Sequence, residues 1–162
     1  PDGLKTIRDG AFRGCNALRT IQIPPLVTSI GAMVFENCTG LNSFNNPNQL
    51  TEIGYRMFKN CSSLALVSIP ESVTEIRAEA FSGCSALASI TLLQSIKGLG
   101  DKCFENCRGL REIHVKHPNP LILTTAFQGV DASLCTLFVP VNSKPAYQQY
   151  PVWKDFVTIM EE

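Results

Sequence analysis

Seven cysteines and two histidines are the residues of this 162-residue chain best equipped for chemistry. Cys103 and Cys107 stand at i, i+4, a spacing that can put two sulfurs on one helical face, and His114 and His117 follow at i, i+3. Zinc takes four ligands in a tetrahedron, usually from Cys-x2–4-Cys and His-x3–5-His pairs. This quartet only approximates that spacing. Cys103 also falls in a slot held elsewhere by Ala11, Val34, Met57, Ala80 and Ala126, which reads as apolar core. No metal or cofactor is expected.

Other constellations are thin. Gly98-Leu99-Gly100 is too short for a phosphate loop, and no Gly-x-Ser-x-Gly elbow occurs. Acid pairs such as Asp155 with Glu161, or Glu161 with Glu162, read as solvated surface. Neither histidine has a nucleophile in register, so the chain is not expected to be an enzyme.

Cys15, Cys38, Cys61, Cys84 and Cys107 recur every 23 residues. Side chains in one slot of stacked units point the same way, and paired strands lie about 4.8 Å apart. A disulfide needs Cβ atoms turned toward each other at about 3.5–4.5 Å. The spacing therefore predicts a column of reduced, buried thiols acting as small hydrophobes.

That column is one part of a wider period. Phe12, Phe35, Phe58, Phe81, Phe104 and Phe127 share the 23-residue spacing, and Leu18, Leu41, Leu64, Leu87 and Leu110 follow each cysteine. Repeats of 20–29 residues with leucine-type anchors belong to solenoids, in which each unit buries its core against its neighbours. Alternating pairs come next: Ile21/Ile23, Val67/Ile69, Ile90/Leu92 and Ile113/Val115, with Phe44/Asn46 an imperfect copy. Period two predicts a strand with one buried face. Pro1, Pro24, Pro47 and Pro70 should end it by withholding a donor. A second apolar pair, Val27/Ile30, Leu50/Ile53, Val73/Ile76 and Ile96/Leu99, leads to the next ring.

Two residues beyond each Phe stands Gly14, Asn37, Asn60, Gly83, Asn106 or Gly129. Gly and Asn take left-handed backbone most readily and close short helices. Residues such as Ala78 to Ser82 should thus form one helical or 3₁₀ turn stopped at Gly83. The same requirement accounts for Asn37-Cys38-Thr39 and Asn60-Cys61-Ser62, which match the N-glycosylation pattern.

The fold class expected is an α/β-type repeat solenoid: short strands plus one helical or 3₁₀ turn per coil. Dividing at the prolines gives units 1–23, 24–46, 47–69, 70–92, 93–115 and 116–139, the last longer by one residue and irregular at His117-Pro118-Asn119-Pro120. Residues 140–162 read as a C-terminal cap. Leu137-Phe138-Val139-Pro140 repeats the strand–proline signal one residue out of phase. Ser143 begins a helix with Pro145 in its first turn, and Tyr147, Tyr150, Trp153 and Phe156 supply the covering surface.

Fourteen cationic and fourteen acidic side chains cancel, which argues against nucleic acid or an anionic membrane as partner. No stretch approaches the roughly 20 apolar residues of a membrane span. The chain opens on the first residue of a repeat, which reads as a boundary within a longer protein whose signal or anchor and further repeats lie upstream.

The unit Pro70-Glu-Ser-Val-Thr-Glu-Ile…Ala80-Phe81-Ser-Gly-Cys84-Ser-Ala-Leu87-Ala-Ser-Ile90 resembles the BspA-type leucine-rich repeat, and the resemblance covers residues 1–139. The closing run from Leu137 through Tyr147 and Trp153 to Phe156 is similar to the end of such proteins in anaerobic gut and oral bacteria. The resemblance implies an extracellular or cell-surface location, adhesion to host proteins or other cells, and no catalysis. Asn45-Asn46 in unit two and the whole of unit six depart from the pattern and are expected to be looser or specialised.

A partner would meet the strand face, where side chains between the buried positions form three columns. These are Arg19, Asn42, Ala65, Ala88, Arg111; Thr20, Ser43, Leu66, Ser89, Glu112; and Gln22, Asn45, Ser68, Thr91, His114. Their centre is small and neutral, with charge at the ends. They contain no aromatic platform of the kind carbohydrate binding wants, which favours a protein ligand. A structural spacer within a larger exported protein is the alternative. Partner identity and oligomeric state stay open.

Overall fold

A computed structural model of the protein describes residues 3–45, 49–123 and 125–162. Pro1, Pro47 and Asn46, expected at strand ends, lie outside them. The chain winds into a solenoid of parallel ladders. One side carries β1 (Thr6–Ile7) paired with β2 (Ser29–Ile30), and β4 (Glu52–Ile53), β6 (Glu75–Ile76) and β8 (Gly98–Leu99) in that order. The other carries β3 (Ser43–Asn45) with β5 (Leu66–Ser68), then β7 (Ser89–Leu92), β9 (Glu112–Val115), β10 (Thr136–Val139) and β11 (Thr158–Glu161). Alternation works as expected: Ile90 and Leu92 are buried while Ser89 and Thr91 are exposed. The first unit departs from the expectation, since Ile21 and Ile23 sit in a stretch without strand structure.

Between the ladders runs a turn held by two sets of hydrogen bonds. Alternate amides bond within the turn at 3₁₀ spacing, as Cys61 N–H does to Phe58 C=O at 3.0 Å. The intervening amides donate forward, as Phe58 N–H does to Ala80 C=O at 2.8 Å. Pointing successive amides in opposite directions requires left-handed residues. Asn37, Asn60, Gly83, Asn106, Gly14 and Gly129 all have positive φ, as their Gly/Asn pattern indicated. A second left-handed position, four residues earlier, is held by Gly10, Met33, Arg56, Glu79 and Lys102. Its mixed composition hides it from sequence reasoning, and it keeps the turn from becoming a continuous helix.

The six rings stack at 5.3–5.6 Å between centroids, with interplanar angles of at most 9°. Phe35, Phe58, Phe81 and Phe104 are fully buried, beside Leu41, Leu64, Leu87 and Leu110. Burying such a side chain contributes roughly 1.5–3 kcal/mol. At the first coil Phe12 and Leu18 are half-buried and Cys15 is exposed.

At the other end, helix α1 (Lys144–Gln149) follows Ser143, with Pro145 in its first turn. Ser143 makes no capping bond with its side chain; the Glu161 carboxylate accepts from Lys144 N–H instead, at 3.1 Å. Tyr147, Trp153 and Phe156 are buried and Tyr150 half-buried. Trp153 and Phe156 meet the Phe127 ring edge-on at 5.5 and 5.7 Å. Tyr147 hydroxyl and Trp153 indole N–H donate to the carbonyls of His117 and Leu121, both at 2.8 Å. The segment then returns to the ladder, β11 pairing in parallel with β10.

Candidate functional site

Ladder register sets the strand face. Ser43 lies beside Leu66 and Asn45 beside Ser68, while Ser89 lies beside Glu112 and Thr91 beside His114. Asn42, Asn45, Leu66, Ser68, Ser89, Thr91, Arg111 and Glu112 are exposed, Leu66 by 69%, and Ser43 and His114 are half-buried. Arg19, Thr20 and Gln22 are exposed too, but on the irregular first unit rather than a strand. That stretch is tied to the next coil at Arg19 C=O, which accepts from Asn42 N–H at 3.0 Å.

The face extends further than the repeat pattern indicates. Phe138 follows His114 in register, with the two rings stacked at 4.5 Å, and half-exposed Met160 follows Phe138. The His114 column thus runs on through an aromatic ring that sequence reasoning missed. The signal was the one-residue slip in Leu137-Phe138-Val139, which moves Phe138 into the outward slot.

Charge collects around that end. His114 Nδ1 lies 3.0 Å from a Glu162 oxygen and Nε2 lies 3.5 Å from Glu112. Lys116 donates to Glu162 at 2.5 Å, and its ammonium holds the Glu162 carboxyl below the ordinary range, with help from His114. On the outer turn, Arg56 and Lys59 converge on Glu79. Burial pushes that carboxyl up, but the bonds from Lys59 and Arg56 outweigh it and hold it low. Glu36 is only 5% exposed and pairs with Arg13 at 2.6 Å, so this outer-turn acid is structural rather than surface.

The cysteines are free, and all but Cys15 are buried. Desolvation pushes the Cys61 and Cys107 thiols up to about 12 and Cys135 to about 11. Cys103 and Cys84 are pushed up as well. Such thiols are poor nucleophiles and poor metal ligands. His114 is engaged on the strand face, and His117 Nε2 lies 2.9 Å from Leu93 C=O. Among the described residues, no three His, Cys, Asp or Glu side chains converge to hold a metal ion. No helix among them is long and apolar enough to cross a membrane.

Comparison with known proteins agrees with the architecture. Residues 2–133 match the BspA type leucine rich repeat region in six copies. The chain is similar to a leucine-rich repeat protein from Bacteroides ovatus, with 29% identity and a TM-score of 0.73 over 86% of this chain and 36% of that one. It is also similar to a leucine rich cell surface protein from Faecalibacterium prausnitzii, with 33% identity and a TM-score of 0.69 over 72% and 31%. For a leucine rich repeat protein from T. pallidum the identity is 34% and the TM-score 0.66, over 70% and 54%. The chain therefore spans between about a third and a half of the length of these relatives. No curated protein matches it.

Proposed function

This chain belongs to the BspA-type leucine-rich repeat family, and from that premise we propose that it is a surface-exposed or secreted module that binds a protein through its strand face. The observation that carries this reading is the register. It sets Asn45 beside Ser68 and puts Ser89 and Thr91 on one side of the next strand, so small side chains stand in fixed rows open to solvent. Small neutral groups allow close approach, and a few central contacts usually dominate an interface. Leu66 is the apolar centre, with Arg111, Glu112 and His114 as polar anchors at one edge. A cell-surface location is supported by the description of the Faecalibacterium relative. Adhesion to a host or neighbouring cell is the role this location favours.

A structural spacer is the second reading, favoured by the greater length of the relatives. One experiment separates the two. The immobilised domain is exposed to surface extracts of host and bacterial cells, alongside a Leu66→Asp, Ser68→Arg, Thr91→Arg variant. Retention by the wild type and loss in the triple variant, with an unchanged circular dichroism spectrum, supports recognition. Thr74→Lys and Lys97→Glu, at exposed positions beside the other ladder, should retain the partner. Loss only in these controls refutes the strand-face site. Retention of nothing by any form leaves the spacer as the better account.

A further inference from the structure

The amides of the outer turn follow a regular bonding pattern that stops at the last coil. At five successive boundaries the N–H of the ring-bearing Phe, and the N–H two residues on, donate to two carbonyls of the next coil. The carbonyls are themselves two residues apart. Phe12 and Gly14 donate to Val34 and Glu36; Phe35 and Asn37 to Met57 and Lys59; Phe58 and Asn60 to Ala80 and Ser82. Phe81 and Gly83 reach Cys103 and Glu105, and Phe104 and Asn106 reach Ala126 and Gln128. All ten bonds measure 2.7–3.0 Å.

The sixth pair, Phe127 and Gly129, has no acceptor among the described residues. The cap replaces only half of what a further coil would bring. Trp153 and Phe156 close over the Phe127 ring, but no cap carbonyl reaches these two amides. A cleft of about 370 Å³ opens beside Phe127, lined also by Gln128, Val130, Ala132, Val152, Asp155 and Phe156. Its wall is costly to build. Val152 has φ 71° and ψ −51°, a region that β-branched residues adopt only under strain.

We propose that this cleft docks a segment of peptide backbone, which offers two carbonyl oxygens at i and i+2 to the N–H groups of Phe127 and Gly129. The five interior boundaries supply the template for that geometry. Asp155 on the wall repels a free carboxylate, so neutral carbonyls are the matching acceptors. In the interior coils the residue between the two carbonyls is core, as Phe35 is between Val34 and Glu36. Here Trp153 and Phe156 already fill that space, so the ligand must carry glycine or alanine between its two acceptors. Main-chain bonds then give affinity, and the filled core gives selectivity. The site is separate from the strand face and does not depend on its function.

The test is an NMR titration of isotope-labelled protein with N-acetyl-triglycine amide, with N-acetyl-Gly-Phe-Gly amide and with sodium acetate. Before any addition, the Phe127 and Gly129 amides should exchange with solvent far faster than those of Phe104 and Asn106. Triglycine amide should shift the Phe127 and Gly129 resonances saturably and leave Phe104 and Asn106 in place. The phenylalanine peptide and acetate should bind about tenfold more weakly or not at all. Ala132→Trp, which fills the cleft, should abolish the shifts; Val130→Trp serves if that variant does not fold. Equal protection of all four amides, absence of saturable shifts, or equal response to all three probes each overturns the proposal. So does persistence of the shifts in a folded cleft-filling variant.

Discussion

The thiol of Cys61 donates to the carbonyl of Phe35, 3.0 Å away and 26 residues earlier. The same bond joins Cys38 to Phe12, Cys84 to Phe58 and Cys107 to Phe81. The column is thus more than small hydrophobic filler. Each thiol is a second donor to a carbonyl that already accepts an amide within its own turn, as Phe35 C=O accepts from Cys38 N–H at 3.0 Å.

Burial and the raised thiol pKa together predict labelling. Of the seven cysteines, Cys15 alone is exposed. Native protein treated with an alkylating reagent near pH 8 should gain one adduct quickly, and the other six only after denaturant is added. Fast labelling of Cys61, or a mass deficit matching disulfides, contradicts this. Cys61→Ala should cost about 0.5–1.5 kcal/mol by removing one of the two hydrogen bonds to the Phe35 carbonyl, which keeps its bond from Cys38 N–H.

Phe58 touches three other rings, at 5.5 Å to Phe35, 4.8 Å to Phe44 and 5.3 Å to Phe81. Phe58→Ala should cost about 3–5 kcal/mol in chemical denaturation, because a cavity in a stack cannot collapse from both sides. Phe12→Ala, at the half-buried end, should cost distinctly less. Equal losses would mean that the stack is not the source of the stability.

Gly83 combines a φ of +78° with close approach: a Cβ there would stand 2.5 Å from the Asn60 amide oxygen. Gly83→Ala should lose about 1–2 kcal/mol. Asn60→Gly in the same chain removes the collision but not the backbone strain. A double-mutant cycle should then show about 0.5–1 kcal/mol of recovery. Strict additivity would place the cost in the backbone alone.

Glu79 sets an acid limit on stability. Its folded pKa lies below the unfolded value of about 4.3, held down by Lys59 and Arg56 against the opposing effect of burial. Its contribution is therefore fully present above that unfolded value and is lost as pH falls through the lower folded one. Glu79→Gln should lower the melting temperature at pH 7, and the gap from wild type should narrow as pH falls below 4. A gap that stays constant down to pH 2 would show that the Glu79 charge does not stabilise the fold.

The 23-residue recurrence of Phe, Cys and Leu was enough to establish the solenoid, its buried faces and the outward columns, because each unit must satisfy the same contacts as the last. The Gly/Asn slot at Gly83 and Asn60 was legible for a similar reason, since few residue types accept left-handed backbone. Repetition ends at residue 139, and beyond it only local signals remained: Ser143 and Pro145 marked the helix, and Tyr147, Trp153 and Phe156 the covering rings. That Phe138 would stack on His114 depended on a register slip whose outcome only ladder pairing decides. The second left-handed site at Met33, Arg56, Glu79 and Lys102 is set by forward hydrogen bonds between coils, which impose a backbone angle that these side chains do not prefer. The burial of Glu36 against Arg13, and the absence of an acceptor for the Phe127 and Gly129 amides among the described residues, likewise belong to the tertiary structure. They depend on what packs over a residue in the next turn of the solenoid, and no local pattern carries that information.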